Sequence, residues 1–412
     1  MKSFNVPIQY RSPLVTAIKQ KRKAADKMKK DLSPTVLEIG SLHIILARHF
    51  GFCYGVENAI EIAFRAVEEN PGKRIFLLGE MIHNPGVNAD LQALGVKFLM
   101  DTKGNMLMDW DELKAEDVVI IPAFGTTLEL EQQLCDKGID PTHYETTCPF
   151  VEKVWNRAGK IGEEGYTIVV HGKPTHEETR ATFSHSKAHT PTVVVKDMAQ
   201  AQHLHKYITG ELPAANFYID FKGQYSEGFE PAKDLQRIGV VNQTTMLASD
   251  TQAIADYLKQ VITTHYNTPA ENTNERFADT RDTLCYATND NQGAVQGMLE
   301  EQADLAIVIG GYNSSNTSHL VELCELKLPT FYIENEHCLV SETEIRHFDM
   351  HAHKELATQG YLPSHRPLRI MITSGASCPD ALVERVIARL AELSGNAGAM
   401  QAVASQWEPA VG

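Results

Sequence analysis

From residue 42 onward this chain repeats one local pattern. A short apolar run of β-type residues meets a turn rich in Gly, Ser, Thr or His, and an amphipathic helix follows. Residues 74–78 lead into G-E-M-I-H-N-P, 118–121 into P-A-F-G-T-T, and 166–170 into H-G-K-P-T-H-E-E-T. Further on, 238–241 lead into N-Q-T-T-M, 305–309 into G-G-Y-N-S-S-N, and 369–372 into T-S-G-A-S-C-P. Strands alternating with helices predict an α/β fold of mostly parallel sheets flanked by helices. In open α/β sheets ligands bind beyond the carboxyl ends of the strands, which is where this chain places its polar turns. Two polar, weakly periodic stretches, about 222–237 and 266–283, read as excursions or linkers.

Three cysteines sit where such a turn runs into a helix. The contexts are G-F-C-Y-G-V-E-N-A-I at Cys53, T-T-C-P-F-V-E-K-V at Cys148 and T-L-C-Y-A-T-N-D-N-Q-G-A-V at Cys285. They lie far apart in sequence, near the starts of three comparable blocks, which suggests similar α/β domains over 42–147, 148–284 and 285–390 around a central site. A helix N-terminus carries unsatisfied N–H groups and partial positive charge. It should lower a thiol pKa and favour the thiolate that ligates metal. Three such thiols suit an iron–sulfur cluster with three protein ligands and one iron open to substrate, hence redox chemistry. Three buried structural thiols remain the alternative at this level. Cys135 and Cys324 fall at apolar helix positions and should play no part.

Charge and composition narrow the class. With 43% hydrophobic residues, 22% charged residues and a net charge of −15, the chain reads as globular with no nucleic-acid partner. No apolar stretch approaches the ~20 residues of a membrane span, and there is no signal-peptide core. Seven cysteines at irregular spacing do not form a disulfide framework, so a reducing, cytoplasmic setting is expected. Residues 1–41 stand apart: seven bases between Lys19 and Lys30 face one acid, Asp26, and a solvated helical extension is expected there. Residues 391–412 form a tail.

The turns carry the remaining chemistry. Asn313, Ser314, Ser315 and Asn316 supply consecutive donors before a helix, an anion site suited to phosphate or else an ordinary N-cap. Ser377 has the same placement. His83 and His176 lie on turns rather than on apolar helix faces. Glu178, two residues after His176 at a helix start, can complement the helix dipole or deliver protons. Thr244 and Thr245 could orient it, the substrate, or simply a cap. Walker A and G-x-G-x-x-G patterns are absent.

Taken together and in order, G-F-C-Y-G-V, E-M-I-H-N-P, T-T-C-P-F-V-E-K-V, H-E-E-T, N-Q-T-T-M, C-Y-A-T, N-S-S-N-T-S-H-L and S-G-A-S-C-P-D resemble the 4-hydroxy-3-methylbut-2-enyl diphosphate reductase family. The resemblance runs from about residue 42 to 390 and looks like its longer plant and cyanobacterial branch. It implies a trefoil of three α/β domains around one [4Fe–4S] cluster per chain, held by Cys53, Cys148 and Cys285. It implies an allylic diphosphate substrate and an electron donor protein such as ferredoxin or flavodoxin, in the cytoplasm or, for a plant or alga, the plastid. Two electrons and two protons would remove the substrate's hydroxyl as water, giving isopentenyl and dimethylallyl diphosphate. Glu178 matches the proton donor and Thr244 the threonine beside it. His83, His176, Ser314, Ser315, Asn316 and Ser377 match the diphosphate pocket. Two departures stand out: Phe124 where many bacterial members carry a third pocket His, and Cys378 where a small non-thiol residue is expected. An iron–sulfur hydro-lyase using its open iron as a Lewis acid, or a three-thiolate zinc binding protein, are the competing readings.

Overall fold

All six apolar runs that head the repeated units are strands in the structure, a computed structural model that describes residues 4–278 and 283–407. They appear as Ile75–Leu77, Val118–Ile120, Thr167–His171, Ile238–Asn242, Leu305–Ile309 and Leu368–Ser374. Five of the six bury every residue, and in Leu368–Ser374 only Arg369 is half-buried. Strands covered on both faces need an unbroken apolar run rather than an alternating one, which explains why these segments carry no period of two. The chain divides into two compact units, Met1–Glu57 with His83–Gly86 and Tyr286–Gly412, and Asn58–Ile82 with Val87–Cys285.

The first unit is built on a seven-stranded mixed sheet in the order Thr35–Ile39, Leu42–Leu46, Leu368–Ser374, Leu305–Ile309, Thr330–Ile333, Glu344–Asp349, Lys354–Gln359. Its four central strands run parallel, with Ile370 aligned on Ile44 on one side and Leu305 on the other. Antiparallel pairs close both edges. The N-terminal segment is helical, as expected, but it is not solvated. Helix Pro13–Ala25, capped by the Ser12 hydroxyl on the Val15 N–H (2.9 Å), buries Leu14, Val15 and Ile18 in the same core as the sheet. That i, i+1, i+4 stripe gives the helix an apolar face, and the high charge of the segment masks it in composition alone. The tail behaves similarly: Val403 of helix Ala397–Trp407 is buried in that core.

The second unit holds two three-stranded, wholly parallel sheets. One sets Ile75–Leu77 between Lys97–Phe98 and Val118–Ile120; the other sets Thr167–His171 between Thr192–Val195 and Ile238–Asn242. The stretch 222–237 is not a solvated linker. Phe229 and Leu235 are buried, and Phe229 stacks on Phe217 with ring centroids 5.0 Å apart. Its apolar anchors are too widely spaced to give a periodic signal. Of 266–283, Phe277 and Ala278 are buried, and Phe277 bridges in parallel to Ile238, while 279–282 lie outside the described residues.

One packing device recurs in both units. Thr317, two residues into helix Ser315–Glu325, lies over the strand-end Gly310. A Cβ there would stand 2.5 Å from Thr317 Oγ1, and one on Gly375 would stand 2.0 Å away. Thr179, likewise two residues into helix Glu177–Lys187, lies over the strand-end Gly172, where a Cβ would stand 2.5 Å from its Oγ1. Each threonine is fully buried, and its hydroxyl donates to a neighbour: Thr317 to Ser314 Oγ (2.9 Å), Thr179 to Gln243 Oε1 (3.0 Å). Gly375→Ala should therefore push Thr317 off the Ser314 hydroxyl and lower stability by about 1–3 kcal/mol, as overpacking typically does. A second change, Thr317→Ala, should recover part of that loss. Urea midpoints at unchanged slope measure both, and an unshifted Gly375→Ala midpoint would remove the device from the account.

Candidate functional site

The first unit brings six of the sequence-predicted residues around the carboxyl end of its sheet. Cys53 precedes helix Tyr54–Glu69, and its N–H donates to the Ala376 carbonyl (3.2 Å). The Ala376 N–H in turn donates to Asn316 Oδ1 (2.9 Å), tying the Cys53 turn to the N-S-S-N helix start. Asn316 Nδ2 reaches Thr288 Oγ1 (3.5 Å). Ser377 donates its hydroxyl to the His83 carbonyl (3.0 Å). The same carbonyl would lie 2.6 Å from a Cβ on Gly311, so only glycine admits this close approach. Ser314, Ser315, Asn316, His83 and Ser377 are all buried. Ser314 is the N-cap of its helix, accepting from the Thr317 N–H (3.2 Å); Ser315 and Asn316 are not needed for that cap.

The second unit gathers the others. Cys148 is the N-cap residue of helix Pro149–Glu163, and its N–H donates to the Ala123 carbonyl (3.0 Å). The Cys285 N–H donates to the Thr244 carbonyl (3.4 Å). The Thr244 N–H donates to Glu178 Oε1 (2.5 Å), and the Glu178 N–H donates to His176 Nδ1 (3.2 Å). One chain of hydrogen bonds, each donated by a main-chain N–H, thus runs from Cys285 through Thr244 and Glu178 to His176. Glu178 is buried to 1% exposure on the first turn of its helix. Phe124 stands edge-on to the His176 ring, with centroids 5.6 Å apart.

Electrostatics at Cys148 run against the simple helix-end expectation. The N–H groups of Phe150 and Val151 do pull its pKa down, but burial outweighs them and pushes the thiol up to about 12. The nearby Cys285 and Glu178 add to the rise, because each would place negative charge beside the thiolate. A cation shared by these sulfurs reverses the balance, since a metal-bound thiol is deprotonated outright. The donor set is sulfur in a desolvated pocket, which suits a soft metal or an iron–sulfur cluster.

The other cysteines divide as their surroundings require. All seven are thiols, with no disulfide. Cys324 is buried in the first unit's core, whereas Cys135, expected at an apolar position, is exposed on helix Leu128–Asp136. Cys378 is fully buried, its thiol directed at the Pro379 carbonyl (3.7 Å) and pushed up to about 12 by burial, as befits core packing. The sequence reading missed Gln243, whose amide joins the Thr179 and Thr245 hydroxyls and the Lys173 N–H. It also missed Tyr286, whose hydroxyl accepts from the Tyr54 N–H (3.1 Å) just after Cys53. Both sit inside quoted motifs, but only the fold supplies their partners.

With this geometry in place, the chain can be compared with known proteins. Residues 44–391 match the family of the LytB protein. The chain is 39% identical over 374 residues to the 4-hydroxy-3-methylbut-2-enyl diphosphate reductase of Gloeobacter violaceus, covering 90% of this chain and 88% of that protein. It is 40% identical over 358 residues to the reductase of the same name from a Synechococcus strain, covering 87% of each. A solved structure of (E)-4-hydroxy-3-methyl-but-2-enyl diphosphate reductase, the terminal enzyme of the non-mevalonate pathway, superimposes with a TM-score of 0.51 at 25% identity. It covers 86% of this chain and 100% of that one. The Plasmodium falciparum E-1-hydroxy-2-methyl-but-2-enyl-4-diphosphate reductase shares the fold, with a TM-score of 0.61 at 20% identity, covering 85% and 88%.

Proposed function

Because the chain belongs to the LytB protein family, we propose that it reduces 4-hydroxy-3-methylbut-2-enyl diphosphate to isopentenyl and dimethylallyl diphosphate. The allylic C–O bond breaks, a C–H bond forms, and two electrons with two protons balance the loss of water. The observation that carries the reading is the buried Glu178, fixed by the Thr244 N–H in the same unit as Cys148 and Cys285. A carboxyl group next to sulfur ligands and away from solvent is suited to general acid work.

In this reading Cys53, Cys148 and Cys285 would hold one [4Fe–4S] cluster, which would supply the electrons one at a time and Lewis-acid chemistry toward the substrate's hydroxyl. Glu178 delivers the proton that lets the hydroxyl leave as water. Thr244 holds the carboxyl through its N–H and presents its own hydroxyl toward substrate. Ser315 and Asn316 at their helix start, with Ser314, His83, His176 and Ser377, take the diphosphate; helix N-termini favour such anions. Phe124 offers no hydrogen bond and shapes the wall beside His176. A separate one-electron donor, of the ferredoxin or flavodoxin kind, completes the reaction in a reducing compartment, cytoplasm or plastid. No described helix is long and apolar enough to cross a membrane.

Three outcomes test this. Serine replacement of each cysteine in turn, followed by iron and sulfide assay after anaerobic purification, should deplete iron only for Cys53, Cys148 and Cys285; full iron in any of these three overturns the ligand set. Glu178→Gln keeps size and hydrogen bonding but cannot donate a proton, so turnover at equal cluster occupancy should fall by about 10²–10⁴-fold. A near-native rate would return Glu178 to a dipole-complementing role. Ser315→Ala leaves the Ser314 cap in place, so it isolates the anion contact. Losing a charge-assisted hydrogen bond costs about 1.5–3 kcal/mol, which appears as a substrate KM raised roughly tenfold or more. An unchanged KM would remove Ser315 from the pocket.

A further inference from the structure

The reaction proposed above needs an electron source, and one surface of the first unit is built unlike the rest of this acidic chain. Between Lys19 and Asp31 stand seven bases, Lys19, Lys21, Arg22, Lys23, Lys27, Lys29 and Lys30, against two acids, Asp26 and Asp31. The whole chain carries −15. The apolar face of helix Pro13–Ala25 is sunk in the core, so Lys19, Lys21, Arg22 and Lys23 are held in a fixed place on the surface, and Lys27, Lys29 and Lys30 follow in the segment just after it, where Lys29 pairs with Asp290. Lys21, Lys23, Lys27, Lys29 and Lys30 are exposed. Lys23, Lys27 and Lys30 pair with no carboxylate among the described residues.

One member of the set touches the segment that leads into Cys53, and a second reaches it through Tyr286. Lys19 Nζ donates to the Phe50 carbonyl (2.8 Å) and to Asp380 (2.7 Å), and lies 4.6 Å from the Phe50 ring centre. Lys29 pairs with Asp290 (2.5 Å) and stands over the Tyr286 ring at 5.2 Å. Tyr286 is the residue whose hydroxyl accepts from the Tyr54 N–H, one position after Cys53. Phe4 and Tyr10 add edge-on ring contacts to Tyr54 and Phe52, at 4.8 and 5.9 Å. Thus the basic surface is continuous with residues 50–54, and its two inner lysines are neutralised by Asp380 and Asp290. Its outer lysines are left for a partner.

We propose that this basic face is the docking site for a small acidic protein that carries one electron, seated over the Cys53 turn. This docking rests on the proposed reductase function. A chain of net charge −15 repels an acidic carrier over most of its surface, so a local basic field decides where the carrier lands. Landing beside a cysteine that ligates the cluster places the electron next to its acceptor. Each visit oxidises the carrier by one electron. Two visits with two protons reduce one allylic alcohol to the alkene and water.

The test compares two reductants on the cluster-loaded enzyme. The variant is Lys23→Glu, Lys27→Glu and Lys30→Glu together, none of which the reaction uses. With reduced plant-type ferredoxin as donor at low salt, its KM for ferredoxin should rise at least tenfold. With reduced methyl viologen, which needs no docking surface, turnover should match the parent. An unchanged ferredoxin KM overturns the docking proposal. Absence of viologen-driven turnover in the parent overturns the reductase reading instead, so the two failures are distinct. Should the triple variant also lose viologen activity, the parent's salt response decides. A ferredoxin KM that climbs steeply with ionic strength supports a charged docking face, and a flat one overturns it.

Discussion

Thr317 and Thr179 each put a hydroxyl where a side chain on the neighbouring strand-end glycine would have to go. That exclusion is what the polar turns depend on. In both units the threonine lies two residues into a helix whose start carries candidate binding groups, Ser314 to Asn316 in one and His176 to Glu178 in the other. With Gly310 or Gly172 beneath it, the helix can approach the strand ends closely enough for its first turn to meet main-chain groups there. Ala376 then reaches Asn316, and Thr244 reaches Glu178. A bulkier strand end would lift the helix and leave those buried groups unpaired, which typically costs about 1–3 kcal/mol each.

The same repetition explains what could be read from the sequence. Continuous apolar runs such as Leu305–Ile309 are long and unambiguous, so the parallel strands were legible, and so were the cysteines that follow a turn and open a helix. Partners across the fold were not. The first strand of the 42–147 segment, Leu42–Leu46, pairs with Leu368–Ser374, more than three hundred residues away, and no local pattern carries that information. Helix Pro13–Ala25 was legible as a helix, yet its burial was hidden because three apolar residues suffice to anchor it while its lysines dominate composition. Phe229 and Leu235 escaped for the same reason: isolated anchors have no period. Cys135 shows the converse, a helix position that looks apolar and is exposed.

Charge and burial pull in opposite directions at Cys148. A helix start favours a thiolate, and Cys148 does receive that help from Phe150 and Val151. Yet desolvation, with Cys285 and Glu178 close by, holds the proton on. Left to itself this arrangement stores unfavourable energy, since several acidic groups share one poorly solvated region. A cationic centre bound by the sulfurs would relieve that cost. At Cys148 it is burial, with Cys285 and Glu178 close by, that makes the bare thiol a poor acid. Cys378 and Cys324 share the burial and the raised pKa but have no second cysteine among the causes of their shifts, so burial alone marks packing rather than ligation.

A chain of net charge −15 gains from its acids in solubility but must still admit negatively charged reactants. The fold meets this by confining positive character to short, fixed places. Helix starts supply it through N–H groups at Ser315 and Glu178, where the field is strong only within the first turn and so acts on small anions held against it. The N-terminal helix supplies it through long side chains, whose field extends roughly a Debye length, about 8–10 Å at moderate salt, into solvent. The first kind suits a diphosphate and the second a protein surface. Anchoring the helix by Leu14, Val15 and Ile18 is what turns a run of lysines into a located feature. The same run in an unanchored segment would spread its charge over many positions and direct an approaching partner nowhere in particular.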